Sequence, residues 1–226
     1  MSEQTESRRG RLFVIEGLDG SGKATQAQLL YESLLQRGCA VRKISFPNYD
    51  SDSSALVKMY LAGDFGSDPG DVNAYAASTF FAVDRYASFK KDWSAFYRGG
   101  GVVIADRYTT SNAVHQCSKL PEREWEGFLN WLFHFEYEML GIPAPDRVFY
   151  LRTETALNEK LLSGRYEGHE ERKDIHERNA GYLERSRAAA EYCAAHLGWT
   201  TVQCVKDGAM RPIEDIHAEL LRLLDN

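Results

Sequence analysis

Residues 12–25 restrict the possible folds of this chain more tightly than any other stretch. Leu12 to Glu16 is an apolar run of strand length, and Gly17, Gly20 and Gly22 then break it into a tight turn ending at Lys23. Beyond the turn, Ala27, Leu30, Tyr31, Leu34 and Leu35 recur at i, i+3, i+4, i+7 and i+8, the single apolar stripe of an amphipathic helix. A strand, a glycine turn, a lysine and a helix in this order make a phosphate-cradling loop. Glycines let the backbone amides turn inward around an anion, the helix N-terminus adds partial positive charge, and Lys23 adds a full one.

The unit predicts a nucleoside triphosphate, ATP, held by Gly17, Gly20, Ser21, Gly22, Lys23, Ala24 and Thr25. One position departs from the usual pattern. The residue after the lysine is ordinarily Ser or Thr, whose hydroxyl ligates magnesium, and here it is Ala24, with Thr25 next. Magnesium (Mg2+) is therefore expected to be held mainly by triphosphate oxygens, water and a carboxylate from elsewhere in the chain.

With 226 residues, 43% apolar and 27% charged, the chain is sized for one α/β domain with a full core. A net charge of −6 argues against a duplex nucleic acid or an acidic membrane as partner, since no global positive field attracts either. No apolar run approaches membrane-spanning length. Cys39, Cys117, Cys193 and Cys204 are scattered, as in a protein of a reducing, cytoplasmic-type compartment, with the nucleus also open to it. Residues 1–10 are polar and read as a flexible N-terminal tail, leaving 11–226 as the single domain. His169 and His176 sit in a highly charged stretch and read as solvated.

Five apolar runs read as strands: Leu12 to Glu16, Val41 to Phe46, Val102 to Ala105, Val148 to Leu151 and Thr201 to Val205. Helical patterns alternate with them, predicting a five-stranded parallel sheet with helices on both faces. One long helix is expected from Asp71, its N-cap, to Tyr97, with Val72, Tyr75, Ala76, Phe80 and Val83 as its packing stripe. A second is expected from Pro121 to about Leu140, and a last one carries Ile213, Ile216, His217, Leu220, Leu221 and Leu224. Residues 163–185 mix Arg165, Arg172, Lys173, Arg178 and Arg185 with acids. Either this is a solvated helix face, or it is a lid whose arginines close over a triphosphate; phosphoryl transfer favours the lid.

Val102 to Ala105 runs into Asp106, Arg107 and Tyr108, an apolar strand ending in a carboxylate that can organise magnesium opposite the phosphate loop. The adjoining guanidinium can bridge anionic groups. Asp106-Arg107-Tyr108, followed by Ser111 and Asn112, resembles the Asp-Arg-Tyr signature of thymidylate kinases. The phosphate loop with Asp19, the Phe46-Pro47 element after the second strand, and Phe81 with Arg85 one helical turn later resemble that family too, in order along nearly the whole chain.

The resemblance implies a P-loop kinase fold and the magnesium-dependent reaction ATP + dTMP to ADP + dTDP, by a homodimer. It implies that Phe81 stacks on thymine, that Arg85 reaches a carbonyl oxygen of the base, and that Ser111 and Asn112 line its edge. Asp19 would accept the deoxyribose hydroxyl, Tyr108 guard the sugar, and Phe46 and Tyr49 flank the acceptor, with Tyr182 also touching it. Arg107 would hold the acceptor phosphate, and Asp106 would act on the metal indirectly, through water. Lys23, Arg107 and a lid arginine, Arg165 with Arg172 and Lys173 in reserve, would meet the charge of the transferred phosphoryl group. His115 stands where some relatives carry an aromatic residue. The alternatives are a deoxynucleoside kinase, which would want a carboxylate base after the second strand, and a non-catalytic nucleotide switch, which would show a guanine-reading Asn-Lys-x-Asp element; the sequence has neither feature.

Overall fold

The computed structural model describes residues 9–153, 174–177 and 179–225. Five strands form one parallel sheet in the order β2-β3-β1-β4-β5: β1 Arg11–Glu16, β2 Val41–Ser45, β3 Val102–Asp106, β4 Arg147–Arg152 and β5 Thr200–Gln203. The central strand β1 pairs with β3 on one side, Phe13 opposite Ile104, and with β4 on the other, Phe13 opposite Arg147. Parallel strands need crossover helices, so both faces of the sheet are covered; the inner strands β1, β3 and β4 are almost wholly buried, while the edge strands β2 and β5 keep exposed polar residues.

Alternation along β1 divides the core. Phe13 and Ile15 pack with Ala27, Leu30 and Leu34 of α1 (Lys23–Gln36) and with Ile216, Leu220 and Leu224 of the C-terminal helix Ile213–Asp225. Leu12 and Val14 face the opposite layer, with Trp93, Tyr108, Phe128 and Leu132. Leu35, expected on the buried stripe of α1, is 53% exposed, because the helix is buried along a narrower face than its apolar residues span.

The long helix expected from Asp71 is broken into pieces. Asp71 closes a 3-10 turn, Pro69–Asp71, where its carboxylate accepts from the Asp68 N–H. After α2, Ala55–Ala62, Asn73 is the true N-cap of the next helix, accepting from the Ala76 N–H at 2.9 Å, and α3 runs Ala74–Ser88. A π-turn, Phe89–Trp93, then leads into α4, Ser94–Arg98. The packing stripe of α3 also differs: Ala74, Ala77, Ser78, Ala82, Asp84, Arg85 and Ser88 are buried, whereas Tyr75 and Val83 are exposed. Small and polar residues fill the inward face because it packs closely on α5 (Thr109–Cys117) and borders a cavity.

The second long helix is a 3-10 turn, Glu122–Glu124, then α6 Trp125–Phe133, continuing as a π-turn over His134–Met139. The next helix, α7, is Ala180–His196, and α8 is the C-terminal helix already named. A two-stranded hairpin, β6 Val205–Lys206 with β7 Ala209–Met210, was not anticipated; Asp207 and Gly208, both at positive φ, turn it.

The end of the expected flexible tail is anchored. Gly10 donates to the Tyr97 carbonyl at 2.7 Å, and Arg9 pairs with Asp146 at 2.9 Å. Of the expected lid, 163–173 and 178, with Arg165, Arg172, Lys173 and Arg178, lie outside the described residues. Its last residues, including Arg185, form the first turns of α7.

Candidate active site

The site lies at the carboxyl ends of β1, β2 and β3, where loops diverge in an open α/β sheet. The turn after β1 is shaped by Gly20 at φ 81 and Gly22 at φ 87, left-handed conformations that favour glycine. Gly17 is required by space: a Cβ there would stand 2.6 Å from Ser21 Oγ and 2.9 Å from the Leu151 carbonyl. Helix α1 begins at Lys23 with no side-chain cap and no acid in its first turn, so its leading N–H groups are left for an anion. Ser21 Oγ is buried without a partner inside the same turn. The Lys23 ammonium donates to the Leu18 carbonyl at 2.7 Å and lies 3.8 Å from Asp19.

At the end of β3, Arg107 takes φ 65, uncommon outside glycine. Its N–H donates to the Ile15 carbonyl, and its guanidinium pairs with Asp19 and donates to Ser111 Oγ at 3.2 Å. Glu16 underlies this arrangement and was missed in the sequence. Fully buried at the end of β1, it accepts from the Gly17 N–H, from Thr110 Oγ1 at 2.6 Å and from Ser111 Oγ at 2.8 Å. A single acid in an otherwise apolar strand was the available signal.

Asp19, Phe46, Tyr49, Phe81, Arg85, Asp106, Arg107, Tyr108, Ser111 and Asn112 all line one cavity of about 470 Å³. The expected acceptor-side residues are thus brought together, Tyr182 excepted. That side chain is fully buried and stands behind the wall, its hydroxyl donating to the His115 carbonyl at 3.0 Å. Tyr108 lines the cavity with its ring, while its hydroxyl donates to the Pro143 carbonyl. The Phe46-Pro47 peptide is cis, and the loop it opens is tied to α3 where Asp84 accepts from the Asn48 N–H at 2.8 Å and from Ser53 Oγ at 2.7 Å.

His176 corrects the solvated reading: it is buried, lines the cavity and clusters with the near-parallel rings of His115 and Tyr182, at 5.5 and 4.6 Å between centroids. Lys119 donates to Tyr60 Oη at 2.7 Å, and that hydroxyl lies 2.9 Å from His176 Nε2. Asp174 and Glu177, beside His176 in the chain, also line the cavity.

The wall that carries Arg85 and Asn112 is organised from behind by Glu136, which is 0% exposed. Its carboxylate accepts from Arg85 Nε and Nη2 at 2.7 and 2.5 Å, Thr109 Oγ1 at 2.7 Å and Asn112 Nδ2 at 3.2 Å. Glu136 continues the inward stripe of Trp125, Phe128, Leu129 and Leu132, and an acid on that stripe was the overlooked clue.

The electrostatics follow from these contacts. Burial opposes the charge on Asp19, but Arg107 and then Lys23 outweigh it and hold the carboxyl far below the usual range. Burial, then Arg107, bring the Lys23 ammonium down to about 8, with Asp19 opposing. Burial, then Arg107, push His115 down to about 3, and burial with His115 pushes His176 well down, so both rings are neutral at pH 7. Burial also disfavours the Arg85 cation, but Glu136 overcomes it and raises the guanidinium.

The donor set fits a magnesium ion bound mainly by substrate. No cluster of three metal-ligating side chains occurs among the described residues, and Ala24 supplies no hydroxyl. Asp106, on the cavity wall at the end of β3, is a carboxylate of the kind magnesium needs beside phosphate oxygens and water.

A phosphate loop with an uncapped helix behind it, facing a cavity lined by cations, aromatic rings and amides, defines a P-loop kinase that phosphorylates a small nucleotide. Residues 15–219 match the thymidylate kinase family model. The chain is 33% identical over 190 residues to thymidylate kinase of Mycobacterium tuberculosis, covering 83% of this chain and 87% of that one. It is 25% identical over 222 residues to the Schizosaccharomyces pombe thymidylate kinase, covering 98% and 95%. The fold matches the solved structure of Candida albicans thymidylate kinase with a TM-score of 0.68 at 19% identity, over 96% of this chain and 92% of that one. The chain belongs to the thymidylate kinase family, whose members are nucleoside monophosphate kinases.

Proposed function

We propose that this chain transfers the γ-phosphoryl group of ATP to dTMP, giving ADP and dTDP, in the synthesis of dTTP. The observation that carries the reading is the shared wall: the phosphate loop, through Asp19, lines the same cavity as Phe81, Arg85 and Asn112, with the Lys23 ammonium 3.8 Å from Asp19. Donor phosphates and an acceptor base can therefore be held at once.

The nucleophile is a phosphate oxygen of dTMP. Its second pKa is near ~6, so it is largely dianionic at neutral pH and needs no general base. His115 and His176 are poor bases, because burial pushes both below the usual imidazole value, which agrees with a reaction that needs none. Catalysis is alignment and charge neutralisation. Lys23 meets the donor phosphates, Arg107 the acceptor phosphate, and Arg165 of the lid the transferred group. Asp106 would hold magnesium through water, and the ion would supply further neutralisation of phosphate charge. Phe81 stacks on the base, Phe46 and Tyr49 flank the nucleotide, and Tyr108 with Asp19 borders the sugar.

The working form is a homodimer in this reading. Tyr75, Val83 and Tyr86 form an apolar outer face of α3 suited to a twofold partner. No described helix is long and apolar enough to cross a membrane. Cys39, Cys117, Cys193 and Cys204 are free thiols, which supports a reducing compartment, the cytoplasm or the nucleus.

The test is incubation with ATP, magnesium and a panel of nucleoside monophosphates and deoxynucleosides. Phosphorylation of dTMP above all other acceptors is expected. A preference for CMP, AMP or an unphosphorylated deoxynucleoside overturns the reading.

A further inference from the structure

Glu136 does more than neutralise Arg85. Its Oε1 accepts from both Arg85 Nη2 and Asn112 Nδ2, so one carboxylate oxygen sets these two cavity-lining side chains against each other. Asn112 Nδ2 also donates to the Ser78 carbonyl at 3.1 Å. Both of its amide hydrogens are thus taken by groups that can only accept, which leaves Oδ1 as the amide atom for a ligand. Arg85 gives its Nε hydrogen and one Nη2 hydrogen to Glu136, which leaves both hydrogens of Nη1 and the second of Nη2. A guanidinium nitrogen can only donate, and an amide oxygen can only accept.

We propose that Glu136 is the positioning residue that fixes the base-reading edge of the site as a donor, the remaining N–H groups of Arg85, beside an acceptor, Asn112 Oδ1, and thereby selects thymine-type over cytosine-type pyrimidines. The inference rests on the dTMP reading above and deepens it. A thymine or uracil edge shows a carbonyl oxygen and then an N–H, the complement of this pair. Cytosine shows an amino group and then a bare ring nitrogen, so donor meets donor and acceptor meets acceptor. Guanine shares the acceptor-then-donor edge, so this pair sorts pyrimidines and leaves purines to cavity shape.

Fixing the amide is the decisive step. An asparagine that could rotate by 180° about its terminal bond would offer an N–H to cytosine, and only partners unable to donate prevent that. The Ser78 carbonyl is one such partner and the Glu136 carboxylate the other. Thr109 Oγ1 donates to Oε2 and holds the carboxylate in place. Glutamine at 136 could donate its own amide to Asn112 Oδ1, and the restriction would be lost.

The experiment compares dTMP and dCMP as acceptors for the full-length protein and its Glu136→Gln variant, with binding of each nucleotide titrated separately. The ratio of kcat/KM for dTMP over dCMP is expected to fall by about tenfold or more in the variant, mainly through a higher KM for dTMP and a lower one for dCMP. The kcat for dTMP should stay within a few fold, because Lys23 and Arg107 are untouched. An unchanged ratio, with both acceptors weakened together, would make Glu136 a structural residue only and overturn the proposal. Should Glu136→Gln not fold, Glu136→Asp keeps the charge beside Arg85 while drawing it back by one methylene. A lowered ratio there supports the proposal, and an unchanged one overturns it. No dTMP turnover by the unaltered protein would overturn the reaction itself, before any variant is compared.

Discussion

Arg107 and Asp19, 88 residues apart, join the end of β3 to the phosphate loop through an ion pair between Nη2 and Oδ1. The same guanidinium reaches Ser111 on α5 through Nη1, so a single planar group spans three segments of the site. Lysine offers a point charge and cannot reproduce that fork. Arg107→Lys is expected to lower kcat/KM for dTMP on the order of 10²-fold, with the fold retained. Steady-state kinetics with circular dichroism checks it; near-normal turnover would remove Arg107 from the acceptor-phosphate role.

Lys23→Ala is expected to abolish phosphoryl transfer without unfolding the protein. Its ammonium is bonded to the Leu18 carbonyl in the phosphate loop and supports no core packing. Retained turnover in a folded variant would sink the phosphate-loop assignment.

Arg85 and Arg165 should separate kinetically. Arg85 is proposed to touch the base before and during transfer, a uniform contact, so Arg85→Ala should raise the acceptor KM. It also strands the buried Glu136 carboxylate, at a cost of about 3–5 kcal/mol in stability. Arg165 is proposed to engage only on lid closure, so Arg165→Ala should lower kcat on the order of 10²-fold or more with dTMP binding unchanged. A silent Arg165 variant would pass the role to Arg172 or Lys173, or remove it from the lid.

Discrimination against dUMP should be modest, because one methyl in an apolar pocket is worth about 1–3 kcal/mol. Weaker but real dUMP turnover is expected, with ribonucleotides much poorer. Equal rates on dUMP and dTMP would show that the methyl is not in contact.

His115 and His176 make the fold sensitive to acid. Their folded values lie below the ordinary one of 6.5, so below that pH the unfolded chain binds more protons than the native one. Stability should therefore fall as pH drops from about 6.5, His115 contributing down to about 3. Asp174, pushed up to about 6 by burial, acts in the opposite sense, its contribution being lost as pH rises from 3.8 to about 6. His115→Phe keeps a ring in the stack but cannot titrate, so it should flatten the loss between pH 6.5 and 5. Urea midpoints across that range decide it, and an unchanged slope would count against a buried neutral His115.

Local chemistry was readable along the chain because each part depends on near neighbours. Gly17 to Thr25 sets the phosphate loop through backbone conformation, and the alternating apolar runs set the strands through two-sided burial. The Asp106-Arg107-Tyr108 run and the Phe81-Arg85 pair could be placed on a strand end and a helix face for the same reason. Periodicity could not say which face of α3 is inward. Its larger apolar residues, Tyr75 and Val83, are outside, because α5 approaches too closely for anything bulkier than alanine or serine at several inward positions.

What the sequence by itself determined is the class of fold, the phosphate loop and the residue types that meet around a nucleotide, since these follow from local spacing and turn chemistry. Only the tertiary structure decided how those residues are held. Glu16 reaches the first turn of α5, 94 and 95 residues away, and Glu136 reaches α3 at a separation of 51. His176 leaves a charged stretch to stack in a buried wall. A buried charge survives only with partners that satisfy it, and those partners come from distant segments that no local pattern brings together.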